Sequence, residues 1–234
     1  MQAVAAMIHD TMHPMQTRFS RLPGRGLYLI TPDEPDDDVL LARLRTALLA
    51  GPVLVQYRNK ALDDVGRARQ IEGIAPLVRA AGAALVVNDD VELAARFEAG
   101  VHLGREDGSI VRARERLGPG ALIGASCYAD LERARAAIAE GASYVAFGAM
   151  YPSPTKPQAQ CASLELLRRA RAELAVPIAV IGGITLERAD ELVAAGADWL
   201  AVISDLFAAP DPLERALAWA AWHNRVFGTE GKER

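Results

Sequence analysis

Short apolar runs alternate with amphipathic segments eight times along this chain, from residue 27 onward. The runs are rich in β-branched and other apolar residues, as the strands of a buried parallel sheet are, and each precedes a segment with helical spacing. This order of elements is typical of parallel strands joined by crossover helices. The predicted strands are 27–31, 53–58, 84–88, 101–103, 122–126, 144–149, 177–182 and 199–204.

The segments that follow the strands predict eight helices. Several of them end at a glycine, which supplies the left-handed residue that stops a helix. The predicted helices are 36–50, 63–81, 90–98, 109–117, 130–140, 163–175, 185–195 and 211–225, and the glycines are Gly51, Gly82, Gly100, Gly141 and Gly196.

Eight strand–helix units predict an α/β fold, a single (β/α)8 TIM barrel, with a doubly wound open sheet as the alternative. The spacing of the units leaves no room for an interdomain linker. We therefore predict an N-terminal extension at 1–25 that is poorly ordered, a barrel domain at 26–226 and a charged C-terminal tail at 227–234.

The composition excludes several classes of protein. The 234 residues are 51% hydrophobic, enough for a large core, and the net charge of −4 gives no basic surface for nucleic acid. Cys127 and Cys161 lack metal-ligand spacing, and the apolar runs are far shorter than the roughly 20 residues of a membrane helix. We expect a cytoplasmic protein with small-molecule partners and no membrane partner. The sequence does not decide whether the protein forms a homo-oligomer.

The second predicted strand ends in VQYRNK, with a polar side chain at every second position. Gln56, Arg58 and Lys60 share one face because side chains alternate along a strand. Burying such polar and charged side chains in a barrel mouth costs free energy unless an anion or acidic side chains bind them. The chain has three lysines against 23 arginines. A lysine at this position therefore favours an anionic ligand over a network of salt bridges.

Acidic residues follow the third and fourth predicted strands, in NDD and HLGRED. Neighbouring parallel strands lie about 4.8 Å apart, so Asp89 and Asp107 are expected to converge on one ion. Two carboxylates with open positions for water and phosphate oxygens predict a Mg²⁺ site. Asp90 is the better candidate for a helix cap, and His102 is expected to be a hydrogen-bonded core histidine.

Two further segments at strand ends are suited to hold phosphate. The sixth predicted strand leads into YPSPTKP, a loop stiffened by proline that carries Ser153, Thr155 and Lys156. Gly183 follows the seventh strand and Ser204 ends the eighth, where barrels of this kind bind phosphate and where a short helical turn is expected.

The strand ends together imply two anionic ligands and a divalent cation. Strand five, predicted to end at Ser126, adds a hydroxyl at the same rim. Bringing two anions and a cation together predicts group transfer in which a diphosphate leaves, its charge neutralised by Mg²⁺, arginine and lysine.

Eight motifs of the chain together resemble the thiamine phosphate synthase family. They lie in order and at appropriate spacing over residues 27–212: LYLITP, VQYRNK, VVNDD, GVHLGRED, IGASC, YVAFGAMYPSPTKP, VIGGI and AVISDLFAAPDP. The resemblance implies a TIM-barrel transferase of thiamine biosynthesis. Its implied reaction joins 4-amino-5-hydroxymethyl-2-methylpyrimidine diphosphate to 4-methyl-5-(2-phosphoethyl)thiazole, by dissociative displacement with Mg²⁺, and releases diphosphate.

The resemblance also implies a role for each residue at the strand ends. Pyrimidine diphosphate would be held by Gln56, Arg58, Lys60, Asn88, Ser126 and Lys156, of which Arg58, Lys60, Ser126 and Lys156 would be catalytic. Mg²⁺ would be held by Asp89 and Asp107. Thiazole phosphate would be held by Ser153, Thr155, Gly183, Ile203 and Ser204.

The chain departs from the family's usual pattern in three places. Ser153 replaces threonine, Arg105 replaces a common glutamine, and Cys127–Tyr128 follows Ser126 where histidine or threonine is usual. Two other functions stay open: a thiazole tautomerase of the same barrel family, and a non-catalytic phosphometabolite-binding barrel. Neither would need the cationic face, the acidic pair and Lys156 together.

Overall fold

The computed structural model describes residues 22–152 and 161–228. Within them, eight parallel strands form a closed barrel in sequence order, with β1 hydrogen-bonded to both β2 and β8. Closure confirms the predicted TIM barrel and shows that the open-sheet alternative is wrong. The strands are β1 Gly26–Ile30, β2 Leu54–Tyr57, β3 Ala84–Asn88, β4 Gly100–Leu103, β5 Ile123–Tyr128, β6 Tyr144–Gly148, β7 Ile178–Ile181 and β8 Trp199–Val202.

Helices cover the outside of the barrel and follow the predicted order. They are α1 Asp37–Leu48, α2 Asp64–Ala80, α3 Val91–Arg96, α4 Ile110–Leu117, α5 Leu131–Ala139, α6 Leu164–Glu173, a 3₁₀ turn Leu186–Arg188 with α7 Ala189–Ala194, the short α8 Ser204–Phe207, and α9 Pro212–Phe227. No helix of the described ranges is long and apolar enough to cross a membrane.

Short polar side chains start most of these helices. The Asp90 carboxylate accepts a hydrogen bond from the backbone N of Leu93, which confirms Asp90 as a cap. The other side-chain caps are Asp36, Asp63, Ser109, Asp130, Ser163 and Asp211.

One helix stop predicted from the sequence is wrong. Gly100 is the first residue of β4, and the left-handed residue after α3 is Glu98, with φ 50°. Helix α3 ends early because Phe97 and Ala99 turn back by hydrogen bonds to Leu93 and Ala94. The other four predicted glycines do have positive φ.

The core has two parts, one on each side of the sheet. Side chains from alternate strand positions fill the barrel, among them Tyr28, Leu54, Tyr144 and Trp199. The intervening positions pack against the helices; Val55 and Tyr57 belong to this outer layer, as the alternation along the second strand predicts.

Strand β5 is longer than predicted and irregular near its end. Ser126 pairs with Ala146, but Tyr128 rather than Cys127 pairs with the next residue of β6, Phe147. Cys127 is thus an extra residue, fully buried, and Tyr128 takes a left-handed φ of 55°. The prediction that the strand ends at Ser126 is therefore wrong.

Candidate active site

The closed barrel brings the described candidate residues to one end, the carboxyl ends of the strands, which we name the rim. Most lie at or just beyond a strand end, and Ser126 lies inside β5 because that strand runs two residues further. The described rim residues are Arg58, Lys60, Asn88, Asp89, Asp107, Ser126, Gly183, Ile203 and Ser204. Candidate residues Ser153, Thr155 and Lys156 lie outside the described residues, so their predicted roles stay predictions.

The predicted extension and tail also lie mostly outside the described residues, since the structure describes nothing before residue 22 or after residue 228. The division at 1–25, 26–226 and 227–234 therefore stays a prediction.

Arg58 is held by two residues that follow β1. Its Nη1 donates to both carboxylate oxygens of Asp33, at 2.9 and 2.8 Å. The same carboxylate accepts the backbone N–H of Lys60 at 2.7 Å. The hydroxyl of Thr31 accepts from the backbone N of Arg58 and donates to its carbonyl oxygen. These contacts fix the chain beyond β2 against the end of β1.

Sequence reasoning missed Thr31 and Asp33. The rule that active-site residues follow barrel strands, applied to the first strand and its LITPD segment, would have found them.

Gln56 lies inside the barrel rather than in the open mouth. Its side chain is buried, and its Nε2 donates to the hydroxyl of Tyr28 at 2.7 Å. The structure therefore places Gln56 beneath Arg58 on the same inward face, with its amide already in a protein contact.

Asp89 and Asp107 meet at the ends of β3 and β4. Burial raises the pKa of Asp89, and the charge of Asp107 and a hydrogen bond with that side chain raise it further. Lys60 and Asn88 act in the opposite direction: the Lys60 Nζ lies 3.8 Å from Asp89 Oδ2, and Asn88 Nδ2 donates to the same oxygen. The two carboxylates repel each other, which a bound cation would relieve.

The local backbone presents these two carboxylates. Asp89 has a left-handed φ of 63°, a conformation that Asp tolerates better than most residues. Asp107 accepts the backbone N–H of Gly104 at 2.9 Å, which closes the turn after β4. Hard carboxylate oxygens of this kind suit Mg²⁺, with water or ligand oxygens in the remaining positions. The described residues contain no cluster of three or more His, Cys, Asp or Glu side chains for a metal.

A cleft of about 320 Å³ opens beside this pair, between the ends of β2 and β3. Arg58, Lys60, Asn88 and Asp89 line it, together with Arg67, which the sequence had not singled out. Arg67 is held by Asp64 and Asp90, at 2.6 and 3.2 Å. The cleft thus combines three cations with one member of the acidic pair.

Two departures from the family pattern lie against each other. The guanidinium carbon of Arg105 lies 5.1 Å from the centre of the Tyr128 ring, a cation–π contact. Both residues line a second cleft with Asp107. Arg105 therefore has a partner in Tyr128.

The ends of β6, β7 and β8 form the opposite side of the rim. Gly183 has a positive φ of 65°, its carbonyl accepts from Arg188 Nη1 at 2.6 Å, and Arg188 stacks on the Tyr151 ring. Ser204 begins the short helix α8, as predicted, with Ile203 just before it. Strand β8 ends at Val202, so the prediction that Ser204 ends this strand is wrong. This region offers backbone N–H groups and a hydroxyl.

Ser126 is half-buried, and its Oγ lies 2.9 Å from His102 Nε2. His102 is buried and its Nδ1 contacts the hydroxyl of Tyr144 at 3.0 Å, which confirms the predicted core histidine. Burial lowers the pKa of His102 to about 4, although the charge of Asp107 opposes the shift. His102 is therefore neutral near pH 7.

A closed parallel barrel with cations and two facing carboxylates at its rim has the architecture of a (β/α)8-barrel enzyme that acts on small molecules. The sequence model of the thiamine monophosphate synthase family matches residues 27–206. The chain belongs to that family.

Relatives and a solved structure agree with this assignment. The chain is 57% identical to the thiamine-phosphate synthase of Azoarcus sp. strain BH72, over 84% of this chain and 96% of that protein. It is 51% identical to the thiamine-phosphate synthase of Thiobacillus denitrificans, over 90% of this chain and 98% of that protein. The structure of thiamine phosphate pyrophosphorylase from Pyrococcus furiosus superimposes with a TM-score of 0.77 at 32% identity, covering 87% and 97% of the two chains. The chain is thus a transferase of thiamine biosynthesis.

Proposed function

We propose that this transferase uses Mg²⁺ to join the pyrimidine diphosphate and the thiazole phosphate named above, forming thiamine phosphate and releasing diphosphate. The observation that carries the proposal is the placement of Arg58 and Lys60 beside the facing carboxylates Asp89 and Asp107, on one side of one rim. Two cations next to a pair of carboxylates suited to Mg²⁺ match a diphosphate that leaves with its charge increased.

In this proposal the bond between the pyrimidine methylene carbon and oxygen breaks first, and its electron pair leaves with the diphosphate. The lone pair of the thiazole nitrogen then forms the new carbon–nitrogen bond. Asp89 and Asp107 would hold Mg²⁺, which when bound neutralises part of the diphosphate charge. Little acid–base chemistry is required of the protein.

The chain's own residues act by binding and orientation. The guanidinium of Arg58, fixed by Asp33, offers a planar fork to the diphosphate, and Lys60 offers a point charge. Asn88 would contact the pyrimidine; Gly183, Ile203 and Ser204 would contact the thiazole phosphate. Holding both rings in one mouth lowers the entropy cost of their reaction.

The loop residues Ser153, Thr155 and Lys156 stay in the proposal on the strength of the resemblance. A cytoplasmic location is proposed because Cys127 and Cys161 are both thiols, as a reducing compartment would keep them. The possible association into a homo-oligomer stays a prediction.

The test is to incubate the purified protein with both substrates and Mg²⁺ and to quantify thiamine phosphate and diphosphate by chromatography. We expect equal amounts of the two products, and none after chelation of Mg²⁺. Interconversion of thiazole phosphate isomers without the pyrimidine substrate would identify a tautomerase instead. Ligand binding with no product would identify a phosphometabolite-binding barrel.

A further inference from the structure

We infer that a one-way chain of hydrogen bonds through the barrel interior leaves the hydroxyl hydrogen of Ser126 free for an anion at the rim. The chain, which we name the relay, runs from Gln56 through Tyr28, Tyr144 and His102 to Ser126. Its four contacts measure 2.7, 2.7, 3.0 and 2.9 Å in that order. The anion that would accept this hydrogen is the diphosphate of the proposed function. Only the identity of the anion rests on that function.

The relay crosses the barrel where bulk water is excluded. Tyr28 and Tyr144 are 1% and 0% exposed, and Gln56 and His102 are buried. Trp199 packs edge-on against both tyrosine rings. The hydroxyl hydrogens of Tyr28 and Tyr144 and the N–H of neutral His102 must therefore find acceptors inside the relay, since a buried donor without a partner is costly.

Gln56 sets the direction of the relay. Its Nε2 can only donate, so the oxygen of Tyr28 is an acceptor in that contact. Tyr28 has one hydrogen and one remaining partner, and so it donates to Tyr144. Tyr144 in turn has one hydrogen and donates it to His102 Nδ1.

The tautomer of His102 determines which atom donates in its contact with Ser126. A neutral imidazole carries a single N–H, and the donation from Tyr144 makes Nδ1 the acceptor nitrogen. The hydrogen is thus on Nε2, which donates to Ser126 Oγ. The Ser126 hydroxyl then keeps its own hydrogen, and this half-buried group can donate it towards the rim.

Hydrogen bonds that ran in the opposite direction along the relay would leave Ser126 unable to donate to an anion. If the Gln56 amide were reversed, Tyr28 would donate to it, His102 would carry its hydrogen on Nδ1, and Ser126 would donate to His102. Only lone pairs of Ser126 would then face the rim, and they repel a diphosphate oxygen. Tyr28, Tyr144 and His102 are therefore positioning residues that act through Ser126.

The first test determines by NMR which ring nitrogen of His102 carries the hydrogen in the ligand-free wild-type protein near pH 7.5. Two-bond ¹H–¹⁵N NMR correlations of a ¹⁵N-histidine-labelled sample distinguish the two ring nitrogens, and a His102→Asn sample assigns the signals. We expect one neutral tautomer with hydrogen on Nε2. Hydrogen on Nδ1, or a mixture of both tautomers, overturns the relay.

The second test is a double-mutant cycle with Tyr144→Phe and Ser126→Ala, read as kcat for thiamine phosphate formation. Loss of one hydrogen bond to a charged group predicts about a ten- to hundredfold lower kcat for Ser126→Ala. Tyr144→Phe should lower kcat about five- to twentyfold in the wild-type background, but less than about twofold when Ser126 is already replaced by alanine. Multiplicative losses in the double variant contradict action through Ser126.

Tyr57→Phe is the matched control. Tyr57 is equally buried, but its hydroxyl donates to Gln70 on the outer side of the sheet, at 2.9 Å. Its effect on kcat should be the same in the wild-type and Ser126→Ala backgrounds. Coupling as large as that of Tyr144 would show that the cycle reports general destabilisation and would overturn the relay.

Failure of the proposed function can be told apart from failure of the relay. Wild-type protein that forms no thiamine phosphate contradicts the proposed function, whereas the NMR result still decides the direction of the relay.

Discussion

Arg58 is the residue on which the proposed chemistry depends most. Its position on the inward face beyond β2 followed from the alternation of side chains along VQYRNK, and the outer packing of Val55 and Tyr57 agrees with that alternation. Its contacts with Asp33 and Thr31 were not predicted, because they link the ends of two different strands. The sequence does not reveal how those two strands are aligned. The same holds for the partners of Gln56 and His102 inside the barrel.

Arg58→Lys tests the shape of this cation rather than its charge. Lysine keeps the charge but lacks the planar fork, so kcat/KM for the pyrimidine diphosphate should fall about tenfold or more. Steady-state kinetics with the thiazole phosphate saturating would measure the change. Arg96→Lys is a suitable control because Arg96 pairs with Glu72 on the helical surface; an equal loss in both variants contradicts a specific role for Arg58.

Cys127 provides a test of the buried thiol at the β5 irregularity. Burial raises its pKa to about 12, so almost no thiolate exists at pH 8. In a Cys161→Ser variant, a thiol reagent such as Ellman's reagent should react negligibly until denaturant is added. Rapid reaction of the folded variant would show that Cys127 is accessible.

The strands are the elements that the sequence predicted best. Their apolar runs are surrounded by core on both sides, so the sequence pattern and the structure agree to within about two residues at every strand end. The end of β5 was predicted poorly because the extra residue Cys127 is apolar and continues the pattern while the pairing shifts. The left-handed conformations of Asp89 and Glu98 likewise became visible only in the structure, whereas the helix cap Asp90 was predicted.

Gly124 in β5 makes room for the interior tyrosine and histidine. A Cβ at this position would lie 2.1 Å from Tyr144 Cζ and 2.5 Å from His102 Nδ1. Gly124→Ala should therefore lower the free energy of unfolding by roughly 1–3 kcal/mol, as overpacking of a rigid core does. Chemical denaturation followed by circular dichroism measures it.

Gly24→Ala is the control for this prediction, since no atom lies within 4 Å of a Cβ there. Its free energy of unfolding should change by less than about 0.5 kcal/mol. A Gly124→Ala protein as stable as the control would contradict the tight interior packing.

At the scale of the whole molecule, eight strand–helix units were sufficient to predict closure, because parallel strands need crossovers and a barrel removes both sheet edges. Closure alone then predicted that distant strand ends share a rim. The composition could not reveal which interior side chains hydrogen-bond to one another. That arrangement depends on the stagger of all eight strands.

Burial of His102 should make the stability of the folded barrel depend on pH. Its pKa is lowered to about 4 in the folded state against about 6.5 when unfolded, chiefly by burial. The unfolded chain therefore binds the extra proton first, and up to about 3 kcal/mol of the free energy of unfolding is lost as pH falls from about 7 to 4. Denaturant titrations across this range should show a shallower pH slope for His102→Asn; an unchanged slope contradicts a buried neutral histidine.

The central claim is that side chains from separate strands gather around one anion and one divalent cation. It is tested most directly by a crystal structure of the protein with diphosphate and Mn²⁺, with the metal located by its anomalous signal. The account predicts Mn²⁺ between Asp89 and Asp107 and diphosphate oxygens on Arg58 and Lys60 in the same mouth. A metal or a diphosphate bound away from these side chains would contradict it.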